Sequence, residues 1–232
     1  YFAMCYEPNI DPNNPLSGNG RNSEFLIVAT ENQTTVRITP SKVTDHLVPK
    51  DSTFEVILNK GEVYQVQSEN LEGSNKNGQG DLTGSQVEAD KPVAFFSGAL
   101  STTVPNAQCC WDHLYEQIPP VQSWGYEYYT VPLKTRTKDR FRILASKDNT
   151  TVHISGEPHL YLNKGEFREF EFPASEAKQI LSDKPVLVAQ FSQSNNVDKL
   201  ETGGNGDPFM IILNPAGRGV NKAVFDTYGS PK

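Results

Sequence analysis

Residues 25–36, FLIVATENQTTV, reappear at residues 141–152 as FRILASKDNTTV, a gapless match at a constant offset of 116. LNKGE at 58–62 returns at 162–166 and DKPV at 90–93 returns at 183–186, with the offset falling to 104 and then 93. A falling offset means that the second copy has lost loop residues, chiefly those of SKVTDHLVPKDS (41–52) and NLEGSNKNGQGD (70–81). The chain therefore reads as a tandem duplication of a unit of roughly 100 residues, too long for a propeller blade and suited to a small β-sandwich. Each repeated motif has a scaffold role. The Asn/Asp-x-Thr-Thr segment is a turn whose side chain caps its own backbone and leads into a strand with Val36 and Ile38, or Val152 and Ile154, facing inward. Asn59-Lys-Gly61 and Asn163-Lys-Gly165 are hairpin turns in which glycine supplies a positive φ.

Strand signals fill the rest of the unit. Residues 25–30, 35–39, 54–58, 63–67, 85–88 and 93–97 join β-branched or aromatic residues to turn formers. The one helical candidate is WDHLYEQ at 111–117, which must stop at Pro119-Pro120. With 17 glycines and 16 prolines supplying turns, the expected fold is all-β with little helix: two closely packed β-sandwich repeats. Residues 1–124 form the first, 125–222 the second, and 223–232 a closing strand or the start of a third unit. The longest apolar run is the hexapeptide 1–6, too short to span a bilayer. The chain opens at Tyr1 on a strand-like stretch, with no initiating methionine and no signal peptide, and reads as a mature or excised fragment of something longer.

With 21 Lys plus Arg against 28 Asp plus Glu, the net charge of -7 opposes a phosphate backbone, so nucleic acid is not an expected partner. No G-x-S-x-G, H-E-x-x-H, P-loop or G-x-G-x-x-G motif occurs. A hydrolase with two separated carboxylates is the residual catalytic reading. The candidate binding residues are non-catalytic. Lys134, Arg136, Lys138, Arg140 and Arg142 alternate, and on one strand they form a cationic stripe able to receive a sulfate, a sialic acid or an acidic loop. The competing reading is a solvated edge strand kept apart by like charge. Asp112 and His113, with Glu116, would cluster on a helical turn, either as a cation or proton site or as a polar brace. Trp124, Tyr126, Tyr128 and Tyr129 could stack on sugars, although alternation assigns about half of such a run to the core. The loops DPNNP, EGSNKNGQGD and ETGGNGD could wrap calcium but lack an EF-hand ligand order, so no metal site is assigned. The three cysteines, Cys5, Cys109 and Cys110, leave one disulfide, with Cys5 to Cys109 or Cys110 the easier geometry and buried free thiols the alternative.

The segments FLIVATENQTTVRI, LNKGEVYQVQS, DLTGSQVEADKPVAFFSG, CWDHLYEQIPPVQSWGYEYYTVPL, DRFRILASKDNTTVHI, SDKPVLVAQFSQS and GDPFMIIL, taken in order, resemble the IgGFc-binding protein N-terminal domain family over nearly the whole chain. The family cysteine before Asp-His matches Cys110, whereas Cys109 departs from the pattern. The resemblance implies an extracellular or cell-surface β-rich module of a large multidomain protein, with no enzymatic activity and no cofactor. The expected function is a recognition or adhesion module binding a protein or glycan, not inserted in a membrane. The alternative is a structural subunit of a surface filament that self-associates through its terminal strands.

Overall fold

A computed structural model describes residues 1–8, 21–69, 80–106, 108, 110–134, 136–195, 197, 206–219, 222 and 224. In the first half, β1 (Ser23–Ala29) lies between β4 (Val63–Gln67) and β6 (Val93–Thr102), and β7 (Asp112–Gln117) completes the antiparallel sheet β4-β1-β6-β7. A second sheet, β3-β2-β5, joins β2 (Thr34–Thr39) to β3 (Phe54–Leu58) and β5 (Gln86–Ala89). The second half begins with β8 (Gly125–Tyr129), then β9 (Lys138–Ala145), β10 (Thr150–Ile154), β11 (Leu160–Leu162), β12 (Phe167–Pro173), β13 (Gln179–Ser192) and β14 (Phe209–Ile212). Its order β12-β9-β13-β14 has the same pairing as β4-β1-β6-β7, and β11-β10-β13 the same as β3-β2-β5. The 14-residue β13 takes the places of both β5 and β6, so the two sheets of this half are fused into one of seven strands. The fold is all-β with sandwich-like packing. Among the described residues the single helical element is the 3-10 turn Val121–Ser123, and no helix is long and apolar enough to cross a membrane.

The repeated motifs make the same bonds twice. Asp90 accepts from the Thr35 N–H at 2.8 Å, and Asp183 from the Thr151 N–H at 2.8 Å. The lysines that follow them, Lys91 and Lys184, donate to the carbonyls of residues 32 and 33 or 148 and 149, at 2.6 to 3.0 Å. Gly61 and Gly165 hold φ values of 83° and 77°, the left-handed turn expected of them. Asn32 and Asp148 cap differently from the expectation. Each accepts from the backbone N–H of the lysine in the facing hairpin, Lys60 at 3.1 Å and Lys164 at 3.0 Å, and so ties two turns together rather than closing its own.

Alternation decides the core. Val36, Ile38, Val152 and Ile154 are fully buried, as their period-2 spacing requires. One core gathers Phe25, Ile27 and Phe95 of the first half with Leu144, Leu187 and Phe191 of the second, while another lies within the second half around Phe141, Ile143 and Tyr128. Burying each such side chain stabilises the fold by roughly 1.5–3 kcal/mol. The extended segment 1–6 runs into the first of these cores and is hydrogen-bonded to the residues around β5: the Tyr1 ammonium donates to Val87 O (2.8 Å) and the Ala3 N–H to Ser85 O (2.9 Å). This stretch of backbone is therefore already paired internally rather than open to strand addition. In the second half β8 takes the same place, with Tyr128 opposite Ile180 and Tyr129 opposite Gln179.

WDHLYEQ is not a helical turn. It supplies β7, with Leu114 buried and His113 and Tyr115 exposed, because β6 offers a hydrogen-bonding edge along Phe96–Ala99 that an isolated two-turn helix cannot match. The expected strand at 223–228 lies outside the described residues, apart from the single residue Val224.

Candidate binding face

β9 carries Lys138, Arg140 and Arg142 on one face, as alternation demands, but that face meets carboxylates. Opposite them on β12 stand Glu171 and Glu169. Lys138 pairs with Glu171 at 2.6 Å, Arg140 with Glu169 at 2.6 Å and Glu171 at 2.9 Å, and Arg142 with Glu169 at 2.8 Å. The stripe is therefore neutralised from within, and its inner end is a buried joint. Arg142 also reaches Asp81 at 2.7 Å and donates to Cys5 O at 2.7 Å, with its guanidinium 4.0 Å from the Tyr6 ring centroid. Burial opposes its charge, and the carboxylates of Asp81 and Glu169 more than reverse this, so it stays cationic.

The same ladder sets a pH dependence. The Lys138 hydrogen bond, and then the Arg140 charge, hold the Glu171 carboxyl below its ordinary value. A depressed folded-state value contributes stability that is complete above the ordinary carboxylate range and is lost as pH falls through the lowered value. The melting temperature should thus fall as pH drops below the ordinary 4.5, and Glu171→Gln should flatten that part of the profile. A Glu171→Gln profile parallel to the parent would contradict this assignment.

The remaining candidates are scattered. Lys134 is exposed and Arg136 half-buried on the connection ahead of β9. His113 and Asp112 bond to each other at 2.8 Å, and an extended strand carries Glu116 further along the chain and onto the face opposite His113, so the three do not converge. Among the described residues no group of three or more His, Cys, Asp or Glu is placed to hold a metal ion. Trp124 is buried against Phe2 with its indole N–H on Pro119 O (3.1 Å), and offers no stacking platform because it fills the junction between the halves. Of the neighbouring tyrosines, Tyr128 is buried and Tyr126 and Tyr129 are exposed. Cys5 is a buried free thiol, while Cys110 is disulfide-bonded; the expected link from Cys5 is not made, since its Sγ faces Glu24 O inside the core. Cys109 and most of the three calcium-candidate loops lie outside the described residues; Asp81, at the end of one loop, is taken by Arg142.

The described surface with the composition of a binding site is the outer face of the first sheet. Register places Gln67, Glu24, Gly98 and Tyr115 in one row, Gln65, Leu26, Phe96 and Gln117 in the next, and Val63, Val28 and Ala94 in a third. Tyr115 lies flat on Phe96, with centroids 5.5 Å apart and planes 7° from parallel. Glu24 is the one charged residue in these rows, and its Oε2 is held by the Gln65 and Gln67 amides at 2.7 and 2.8 Å. Burial, and then the Glu24 charge, raise the Tyr115 phenol above its usual value, so it remains a donor. Leu26, Val28 and Phe96 belong to neither core, and Val63 is 56% exposed. A centre poor in charge and furnished with aromatic and aliphatic side chains is the composition of a protein-contacting patch. The apolar runs of β1 and β6 hide this face in the sequence, because they suit strands buried on both faces equally well. The sign was the row of glutamines in VYQVQ (63–67), polar where a second buried face would be apolar.

The human protein named IgGFc-binding protein (Homo sapiens) is 26% identical to this chain over 206 residues. That alignment takes in 86% of the chain and 4% of the human protein, so the chain spans a small part of its relative. No solved structure matches. The family model described as IgGFc binding protein matches residues 1–231. On a match that leaves out only the final residue, the chain belongs to the IgGFc-binding protein family.

Proposed function

We propose that this chain is a non-catalytic extracellular recognition module of a larger protein, built from two repeated units meeting near Trp124, and that it binds a protein through the outer face of its first sheet. The observation that carries the reading is the Phe96–Tyr115 stack on a face with one charged residue, itself held by two glutamines. Membership of a family named for binding supports the reading, as does the much greater length of the human relative. Interface energy concentrates in a few aromatic anchors, and Tyr115 is the exposed aromatic of this face.

The test is a biosensor measurement with immunoglobulin G Fc, the ligand in the relative's name, immobilised, together with a glycan array. Binding of Fc by the parent chain, with a loss on the order of tenfold for Tyr115→Ala and no change for Lys138→Ala, is the expected result. Fc binding unchanged in Tyr115→Ala, or ligands found on the glycan array alone, would overturn it.

A further inference from the structure

We propose that copies of this chain associate head to tail, the outer face of the first sheet in one copy receiving the segment from Tyr129 to Lys134 of the next. The inference rests on the reading of that face as the binding surface and names a partner for it. The argument begins with the interface the chain already makes. In the second half the corresponding face of β9, β13 and β14 carries Arg142, Leu144, Leu187, Ala189, Phe191 and Met210, and it packs into the core shared with the first half. Matching register gives the counterparts in the first sheet as Leu26, Val28, Ala94, Phe96, Gly98 and Tyr115, a face that has no such partner among the described residues.

What the second-half face receives is the segment 1–6. Tyr6 packs on Phe191 at 5.0 Å and its hydroxyl donates to Glu169 at 3.3 Å, while Arg142 holds Cys5 O. That segment also has a counterpart, 127 residues on. The Thr130 N–H donates to Lys178 O as the Ala3 N–H does to Ser85 O, both at 2.9 Å. Gln190 donates to Val131 O as Ser97 does to Met4 O, again both at 2.9 Å. At the positions of Phe2 and Met4, which are 5% and 0% exposed, stand Tyr129 and Val131, which are 54% and 69% exposed. Among the described residues the fold thus uses one face and one segment against each other, and leaves the equivalent face and the equivalent segment without that contact.

The charges of the two contacts differ. Glu7 lines a cleft with Arg142 and Glu169 beside the internal contact. By the same count Lys134 stands at the Glu7 position and Leu26 at the Arg142 position, so that ion cluster is not repeated; Lys134 is the one cation of the segment and Glu24 the one charged residue in the rows of the face. A cation on the segment would meet an anion on the face. The face and the segment are different surfaces, so the contact is heterologous and each added copy presents a new open face. With Leu26 in place of Arg142 the contact lacks the buried ion cluster, and it also lacks the covalent tether that raises the effective concentration within one chain. Association is therefore expected to depend on concentration.

Sedimentation and light-scattering mass of the full chain over a concentration series test this. The parent's average mass should rise with concentration. Val131→Glu, which spoils the segment, and Val63→Arg, which places a cation on the face, should each remain monomeric. An equimolar mixture of the two should form a dimer that grows no further, because each variant keeps the half the other has lost. Both sites are exposed, and parent-like melting of each variant verifies folding; Lys134→Glu repeats the segment test at an exposed charge. A parent that stays monomeric to its solubility limit, single variants that still grow, or a mixture that does not dimerise would each overturn the proposal. Loss of Fc binding in Tyr115→Ala is read separately, so a monomeric parent refutes the self-association without touching the ligand reading.

Discussion

Arg142→Met is expected to lower the unfolding free energy by about 3–5 kcal/mol, measured as a shift of the urea midpoint at unchanged slope. The Arg142 side chain is 4% exposed and ties Asp81, Glu169 and the Cys5 carbonyl together across the two halves. Methionine fills much of the same volume, so packing is largely kept. What is lost is the charge that makes two carboxylates tolerable beside buried aromatic rings. Removing Arg142 leaves Asp81 desolvated and without that cation, while Glu169 keeps Arg140 at 2.6 Å, and stranding a buried charge costs more than the net worth of the pair itself. Asp81→Asn in the Arg142→Met background should recover part of the loss, because it removes the stranded charge. A loss below about 1 kcal/mol for Arg142→Met would mean that the joint is solvated like an ordinary surface pair.

Gly84→Ala should cost about 3 kcal/mol, the second large effect. Gly84 has φ of 89°, where a β-carbon is strained, and that carbon would stand 2.2 Å from the Gly165 carbonyl oxygen. The obstacle is backbone, so no rotamer change relieves it, and the hairpin at Gly165 must move away from the first half. Gly61→Ala is the internal control. Gly61, the first-half counterpart of Gly165, has a similar positive φ of 83° but nothing within 4 Å of the added carbon. It should show the conformational cost alone, about 1–2 kcal/mol. Equal losses at the two glycines, by thermal or urea unfolding, would remove the contact between the halves from the explanation.

Much of the strand layout could be read from local sequence, because each element carried its own signal: β-branched runs at 25–30 and 35–39, the Asn-Lys-Gly turns, and the Asp-Lys-Pro entry to β6. The side of a strand that faces the core follows from period 2 alone, which is why Val36, Ile38, Val152 and Ile154 fell where expected. What local sequence does not carry is the identity of the facing element. Arg140 and Arg142 resemble an anion site until Glu169 and Glu171, alternating in step with them, are laid alongside in register. The spacing of those glutamates was the available clue. Trp124 similarly looked like a sugar platform because its burial depends on Phe2, more than a hundred residues away. For β7 the pairing edge of β6 overrode a helix-compatible spacing, and with that Glu116 was separated from Asp112 and His113. The outer face of the first sheet was hardest to see, since it depends on three strand registers and on the observation that its equivalent in the second half is already occupied.

The most direct test of the central claim, that the outer face of the first sheet receives the Tyr129–Lys134 segment of a second copy, is an amide chemical-shift map of the labelled chain across a concentration series. The predicted result is movement confined to two patches: Leu26, Val28, Phe96 and Tyr115 on the face, and Tyr129 to Lys134 on the segment that occupies it. Shifts centred instead on β10 and β11, or an invariant spectrum at every concentration, would contradict it.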